Sequence, residues 1–259
     1  MIETPWPILF AGFMVAVGAG VVRGFAGFGF SALTVAGVSL FVAPATIVPA
    51  VLALEVAASL GLARGSLRHV ERDWMTALLL GNAIFIPVGI VALVALPQTW
   101  VRMLVGLALL LGAVLTKAAG RRTLTPTAGL RLLAGVASGL LNGVAASGGV
   151  AAALLMAAAR LPPAALRGTM IIFLLFTGVY AIICAGVLSQ GPIASTQLLG
   201  IETLRWALLF GPAMFIGIAL GRRAFGNTDP ARYRAFVLNL LMVIASFGVL
   251  RSGIDLLRA

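Results

Sequence analysis

Arg23-Gly24-Phe25-Ala26-Gly27-Phe28-Gly29-Phe30-Ser31 breaks one long apolar stretch of this chain, and Asn142-Gly143-Val144-Ala145-Ala146-Ser147-Gly148-Gly149 breaks another. Glycines let a backbone turn sharply and approach a ligand closely, so each stretch reads as two short helices joined at an interruption. In a bilayer such interruptions survive only where protein or a cavity covers the freed backbone groups. The surrounding composition demands a bilayer. Only 10% of the 259 residues are charged and 61% are hydrophobic, whereas a soluble domain carries about 25% charged residues.

Outward from the breaks, the apolar stretches are 7–22, 28–43, 46–63, 74–95, 99–117, 129–141, 148–160, 169–189, 203–221 and 232–250. Most approach the roughly 20 residues that cross a ~30 Å hydrocarbon core. The short ones, 7–22, 129–141 and 148–160, border the breaks and suit re-entrant or discontinuous helices. The fold class expected is all-α, a polytopic membrane protein with about eight to ten membrane segments. Met1-Ile2-Glu3-Thr4-Pro5 lacks the basic n-region of a cleaved signal peptide, so the first segment is expected to stay in the mature protein. Cys184 is the single cysteine and excludes a disulfide framework or cysteine-based metal cluster.

The net charge of +11 would suggest nucleic acid in a soluble protein. Here the cations sit in short connectors between apolar stretches, so the expected partner is the lipid bilayer and not nucleic acid. Arg64, Arg68, Arg72, Lys117, Arg121, Arg122, Arg131, Arg160, Arg167, Arg222, Arg223, Arg232 and Arg234 place 13 cations in four connectors. Arg102, Arg205, Arg251 and Arg258 place 4 elsewhere, and Arg23 is left inside an apolar stretch. The positive-inside rule assigns the larger group to the cytoplasm. In a bacterial inner membrane both termini then face the periplasm.

The chain also resembles itself. Gly20, Arg23-Gly24 and Pro44 match Gly139, Asn142-Gly143 and Pro163 at an offset of 119; Gly81 to Ile86 and Arg102 match Gly211 to Ile216 and Arg232 at 130. One transmembrane domain, 1–259, is therefore expected to hold repeat 1 at 7–118 and repeat 2 at 129–252. Each would be a broken helix pair plus three transmembrane helices, and the charge pattern inserts the two in opposite senses. Inverted repeats with interrupted helices mark secondary transporters, whose substrate site lies between the repeats near the midplane. The competing reading is a membrane scaffold whose glycines serve helix packing alone.

The helix after each break would aim unpaired N–H groups and a positive dipole end at the interruption. Arg23 adds a fixed cation with a fork of donors suited to oxyanions. Substrate-binding candidates are therefore Arg23, Gly24, Gly27, Gly29 and Ser31 at the first break. Asn142, Gly143, Ser147, Gly148 and Gly149 join them at the second, with Thr169 on the following helix. Arg23 has a bland reading too, snorkelling to the surface or pairing statically with Glu55. An ionisable group costs ~2.5–3.5 kcal/mol at a bilayer centre on insertion scales, which favours function. Glu55, the one acid inside a spanning stretch, reads equally as a proton-coupling group or as a counter-charge for Arg23. Asn82 and Asn239 more simply bridge helices, His69 is a solvated connector residue, and Trp6, Trp74, Trp100 and Trp206 read as interfacial anchors. No catalytic, cofactor or metal motif is present, so enzyme chemistry and an ATP motor are not expected.

Carried by Arg23 to Gly29 with Pro44, and by Asn142 to Gly149 with Pro162-Pro163, the chain resembles the sulfite exporter TauE/SafE family over nearly its whole length. It carries Phe28 and Phe30 where that family's pattern has further glycines. The resemblance implies a secondary transporter of a small sulfur-containing anion such as sulfite or a sulfonate like sulfoacetate. A dianion leaving a cytoplasm at −100 mV gains about 4.6 kcal/mol, a ratio of roughly 2,000-fold, so export needs no other motor. The small-residue faces also make a homodimer compatible with the sequence.

Overall fold

The computed structural model describes residues 6–38, 42, 44–95, 125–188 and 200–225, with single positions at 229, 232, 235, 236, 239, 243 and 246. The expected span 99–117 and most of 232–250 lie outside the described residues, as do Trp100 and Arg102. Helix α1, Trp6–Ala26, carries Pro7 in its first turn, where a missing N–H costs nothing. Helix α2, Phe30–Val38, follows the first break, and α3, Pro44–Ser66, runs into a 3₁₀ turn at Leu67–His69. Then come α4 (Arg72–Ala95), α5 (Ala128–Ala145), α6 (Gly148–Ala158), α7 (Pro163–Leu188) and α8 (Ile201–Phe225). The fold is all-helical among the described residues, and α1, α3, α4, α7 and α8 are long and apolar enough to cross a membrane.

The breaks are narrower than the glycine content suggests. Arg23 and Gly24 stay inside α1, which ends only at Ala26, and α2 begins at Phe30 instead of Phe28. The turn falls where the backbone is left-handed: Gly27 (φ +85°) and Gly29 (φ +95°) in the first break, Ala146 (φ 50°) in the second. Both helices close with the same bond, Gly27 N–H to Arg23 O and Ala146 N–H to Asn142 O, each 2.9 Å. That is the five-residue closure of a left-handed C-cap, to which the second break adds Ser147 N–H to Leu141 O at 3.1 Å. Gly24 remains helical because it serves packing, not turning. A β-carbon there would collide with the Ile218 carbonyl of α8.

Several boundaries recur 119 residues apart: Ala26 and Ala145 end helices, Gly27 and Ala146 turn left-handed, Pro44 and Pro163 begin helices. The most extensive packing is α1 against α8 and α4 against α5. Both crossings are parallel and depend on glycine. On one side Gly20 meets Gly217 and Gly24 meets Ile218; on the other Gly81 meets Gly135 and Gly143 meets Gly89. Backbones this close are the small-residue packing of membrane helices. These glycine faces are used inside the protomer, so they no longer argue for a dimer.

Helices α3 and α7 form the centre, with α8 against α3 and α4 against α7. One end of the bundle gathers the cations. Arg131 Nη1 lies 2.8 Å from Asp73 Oδ2, joining the starts of α4 and α5. Gly168, near the start of α7, packs on His69 and Ser66 at the end of α3. Arg167 Nη2 donates to Gly24 O (2.9 Å) and its guanidinium lies 4.5 Å over the Phe225 ring, at the ends of α1 and α8. Hence α1, α3 and α8 run toward the basic end, while α4, α5 and α7 leave it.

Leu80, Ile84, Val88 and Val91 of α4 face outward at helical spacing, as do Phe176, Val179, Ile183 and Val187 of α7. Such stripes suit lipid tails. The tryptophans correct an expectation: Trp6 faces outward, but Trp74 and Trp206 are buried, Trp206 stacked 5.3 Å from Phe210. They fill the core near helix ends instead of anchoring the interface.

Candidate functional site

Glu55 is the twelfth of the 23 residues of α3, which at 1.5 Å per residue puts it about 17 Å from either end of a ~35 Å helix. That is the middle of the helix. Its carboxylate meets Arg23, reaching across from the last turn of α1, with Nη2 to Oε2 at 3.3 Å. Neither touches solvent: Arg23 is 0% exposed and Glu55 2%. The cation near the C-terminal end of α1 is also favoured by that helix's dipole.

The pair is fastened from three further directions. Arg23 Nη1 donates to Gly27 O, the left-handed residue that ends α1. Arg23 Nη2 donates to Ser59 Oγ, one turn beyond Glu55 on α3. Glu55 Oε1 accepts the backbone N–H of Ser31 at 3.1 Å, at the N-terminus of α2. The anion that the first break attracts is therefore, in this structure, the protein's own carboxylate. Arg23 Nε is nonetheless buried without a hydrogen-bond partner. Gly24 and Gly27 shape the turn, and Arg167 packs on Gly27 from the basic end.

The second break is built alike and furnished differently. Asn142 and Gly143 line a small recess with Val48, Pro49, Leu52, Ile90, Leu93, Ala181 and Ala185. This lining includes none of the Arg23 group. It meets α3 a turn or more from Glu55, on the side away from Ser59. Ser138 Oγ donates to Gly148 O at 2.9 Å and fixes the turn, and Val150 N–H returns to Ser147 O. Gly149 sits under the Leu174 side chain. Leu174 is 119 residues after Glu55, so the N-terminus of α6 is covered by an apolar group where α2 has a carboxylate.

Thr169 is buried, and its Oγ1 accepts the Glu71 N–H at 2.9 Å, tying α7 to the connector before α4. It belongs to the basic end, apart from the Arg23 group. Asn82 Nδ2 bridges α4 to Gly135 O of α5 at 3.1 Å, whereas Asn239 faces outward. Sequence reasoning passed over two partners. Ser59 was findable, because it stands one turn from Glu55 on the same helix face. The grip of Arg167 on Gly24 had no signal beyond its being one more connector arginine.

A bundle with five helices long and apolar enough to cross a membrane, holding a buried arginine–glutamate pair at a broken helix, defines a multi-pass membrane protein. Residues 12–247 match the family model described as Sulfite exporter TauE/SafE. The chain belongs to that family of membrane transporters of sulfur anions. No curated protein and no solved structure matches the chain.

Proposed function

We propose that the protein exports a small sulfur-containing anion, sulfite or a sulfonate such as sulfoacetate, across a bacterial inner membrane. The anion binds at the first break against Arg23, with Gly27 and Gly29 turning the backbone there, Gly24 seating α1 on α8 and Ser31 marking the N-terminus of α2. Glu55 is the counter-charge that makes the arginine tolerable in the bilayer before and after the anion passes. One observation carries this reading: a guanidinium with no solvent exposure and one donor unmatched, paired with a carboxylate that rests on a helix N-terminus. Helix packing alone needs no such charge, and a buried ion pair is rarely stabilising against apolar residues of similar size.

The protein is read as two inverted repeats, 7–118 and 129–252, in one domain. The 119-residue recurrence of boundaries supports this, as does the exchange of partners, α1 with α8 and α5 with α4. Corresponding helices also run oppositely relative to the basic end. With that end in the cytoplasm, both termini are periplasmic. Asn142, Gly143, Ser147, Gly148 and Gly149 then line the periplasmic half of the path as neutral groups, and Thr169 steadies its cytoplasmic end. Export follows from charge: an anion leaving a negative interior is driven outward by about 2.3 kcal/mol per charge per 100 mV.

Counterflow in proteoliposomes tests the assignment. Sulfite preloaded inside should drive uptake of labelled sulfite, with sulfoacetate as the sulfonate comparison, while taurine (zwitterionic) and chloride should not. Equal counterflow with chloride, or none with any of the four, would remove the sulfur-anion reading.

A further inference from the structure

Arg23 and Glu55 each leave one polar atom unmatched, on neighbouring groups. A guanidinium has five N–H donors; Nη1 is engaged by Gly27 O and Nη2 by Ser59 Oγ and Glu55, but Nε, fully buried, donates to nothing. Glu55 Oε1 accepts from Ser31 N–H, whereas Oε2 touches Arg23 as a charge at 3.3 Å and accepts no hydrogen bond. The pair thus holds one unmatched donor and one unmatched acceptor on side chains that touch each other. We infer that, of the two kinds of anion in the proposed function, the site selects the one carrying its own acidic O–H, hydrogensulfite, over a fully deprotonated sulfonate such as sulfoacetate. One ligand oxygen takes the Arg23 Nε–H while the ligand hydroxyl donates to Glu55 Oε2. The inference rests on reading the Arg23 break as the anion site, and it makes Glu55 a specificity-determining residue.

The reason is electrostatic. A fully deprotonated anion placed beside Glu55 meets a like charge, and such pairs are strongly disfavoured away from water. A proton held between the ligand oxygen and the carboxylate turns that repulsion into a short charge-assisted hydrogen bond. No second cation offsets Glu55 among the described residues. From α1 only Arg23 faces it, and α2 has no ionisable side chain. On α7, Arg167 is turned to Gly24 O and Phe225, and Tyr180 donates to Ala83 O. Cys184, a turn beyond Tyr180, is part-buried. On α8, Glu202 pairs with Arg205 at the surface, and Arg222 and Arg223 are exposed. A water can also bridge a donor and an acceptor, so the test must read selectivity instead of occupancy.

Hydrogensulfite and methanesulfinate make the comparison. Both are small monoanions, and the second has a methyl where the first has its hydroxyl. In proteoliposomes of the full-length protein, hydrogensulfite should be transported at least about tenfold faster, because sites built to bond a hydroxyl strongly reject the analogue lacking it. The rate with sulfite should fall as pH rises through the substrate's own deprotonation, and the methanesulfinate rate should stay flat. Glu55→Gln presents an N–H where the carboxylate accepts, so the preference should shrink to within about threefold as that single hydrogen bond is lost. Equal wild-type rates for the two anions would overturn selection by the hydroxyl and leave the anion site standing; so would a preference that survives in Glu55→Gln. Transport of neither anion would overturn both. The wild-type comparison stands even if Glu55→Gln does not fold.

Discussion

The two breaks share a backbone and differ in charge. Each ends a helix at a left-handed residue with the same closing bond, and a short helix leaves each. At the first, a buried arginine, a glutamate and the α2 N-terminus hold one another. At the second, Asn142 replaces the arginine, Leu174 covers the helix start, and the neighbouring recess is apolar. The comparison separates two uses of one device. Interrupting a helix makes a place where backbone groups are available; only the side chains around it decide whether an ion stops there. On this account the first break binds and the second supplies a neutral wall that lets the anion go.

The largest expected effect comes from splitting the pair. Arg23→Ala leaves Glu55 buried without its partner and should destabilise the protein by about 3–5 kcal/mol. Asn142→Ala should cost only about 1–2 kcal/mol, the loss of a polar side chain with no buried charge left behind. Thermal unfolding in detergent measures both, and equal losses would erase the distinction. Next is a transplant. Asn142→Arg alone puts a cation at the second break, where Leu174 stands 119 residues after Glu55, at a cost of about 2.5–3.5 kcal/mol on insertion scales. Adding Leu174→Glu should return about half of that or more by pairing it. No recovery in the double variant would mean that the second break does not reproduce the geometry of the first.

The crossings should respond alike. Gly24→Val on α1 and Gly81→Val on α4 each drive a side chain into a facing backbone, and each should cost about 1–3 kcal/mol from overpacking. A tolerant member of the pair, by the same unfolding assay, would break the equivalence of the two glycine seams. The smallest effects carry opposite signs. Gly27→Ala should destabilise and Ala146→Gly should stabilise, each by about 1 kcal/mol, because a β-carbon strains a left-handed backbone. The first loses more, since that carbon also meets the Arg167 side chain 2.8 Å away.

Much of this was legible in the residues. Hydropathy marks the long helices α3, α4, α7 and α8, although α1 is longer than the stretch 7–22 and α2 shorter than 28–43; connector arginines mark one end of the bundle, because lipid thickness and membrane charge act on composition directly. The pairing of Arg23 with Glu55 follows from there being one acid and one deep cation to satisfy. What was hidden has a common cause. In a bilayer, lipid-facing and core-facing positions are both apolar, so periodicity does not tell Trp74 or Trp206 in the core from an interfacial anchor. Nor does it tell that Gly24 is a packing glycine while Gly27 is a turning one. Leu174 opposite Gly149 was invisible for the same reason, and with it the neutral character of the second break.

Removing the whole pair tests the account at its centre. Arg23→Met combined with Glu55→Leu strands no charge and roughly keeps the buried volume, so the variant should fold and insert normally. Counterflow of radiolabelled sulfite should then fall to the level of empty liposomes. Counterflow near the wild-type rate in that variant would show that sulfite crosses somewhere other than the first break.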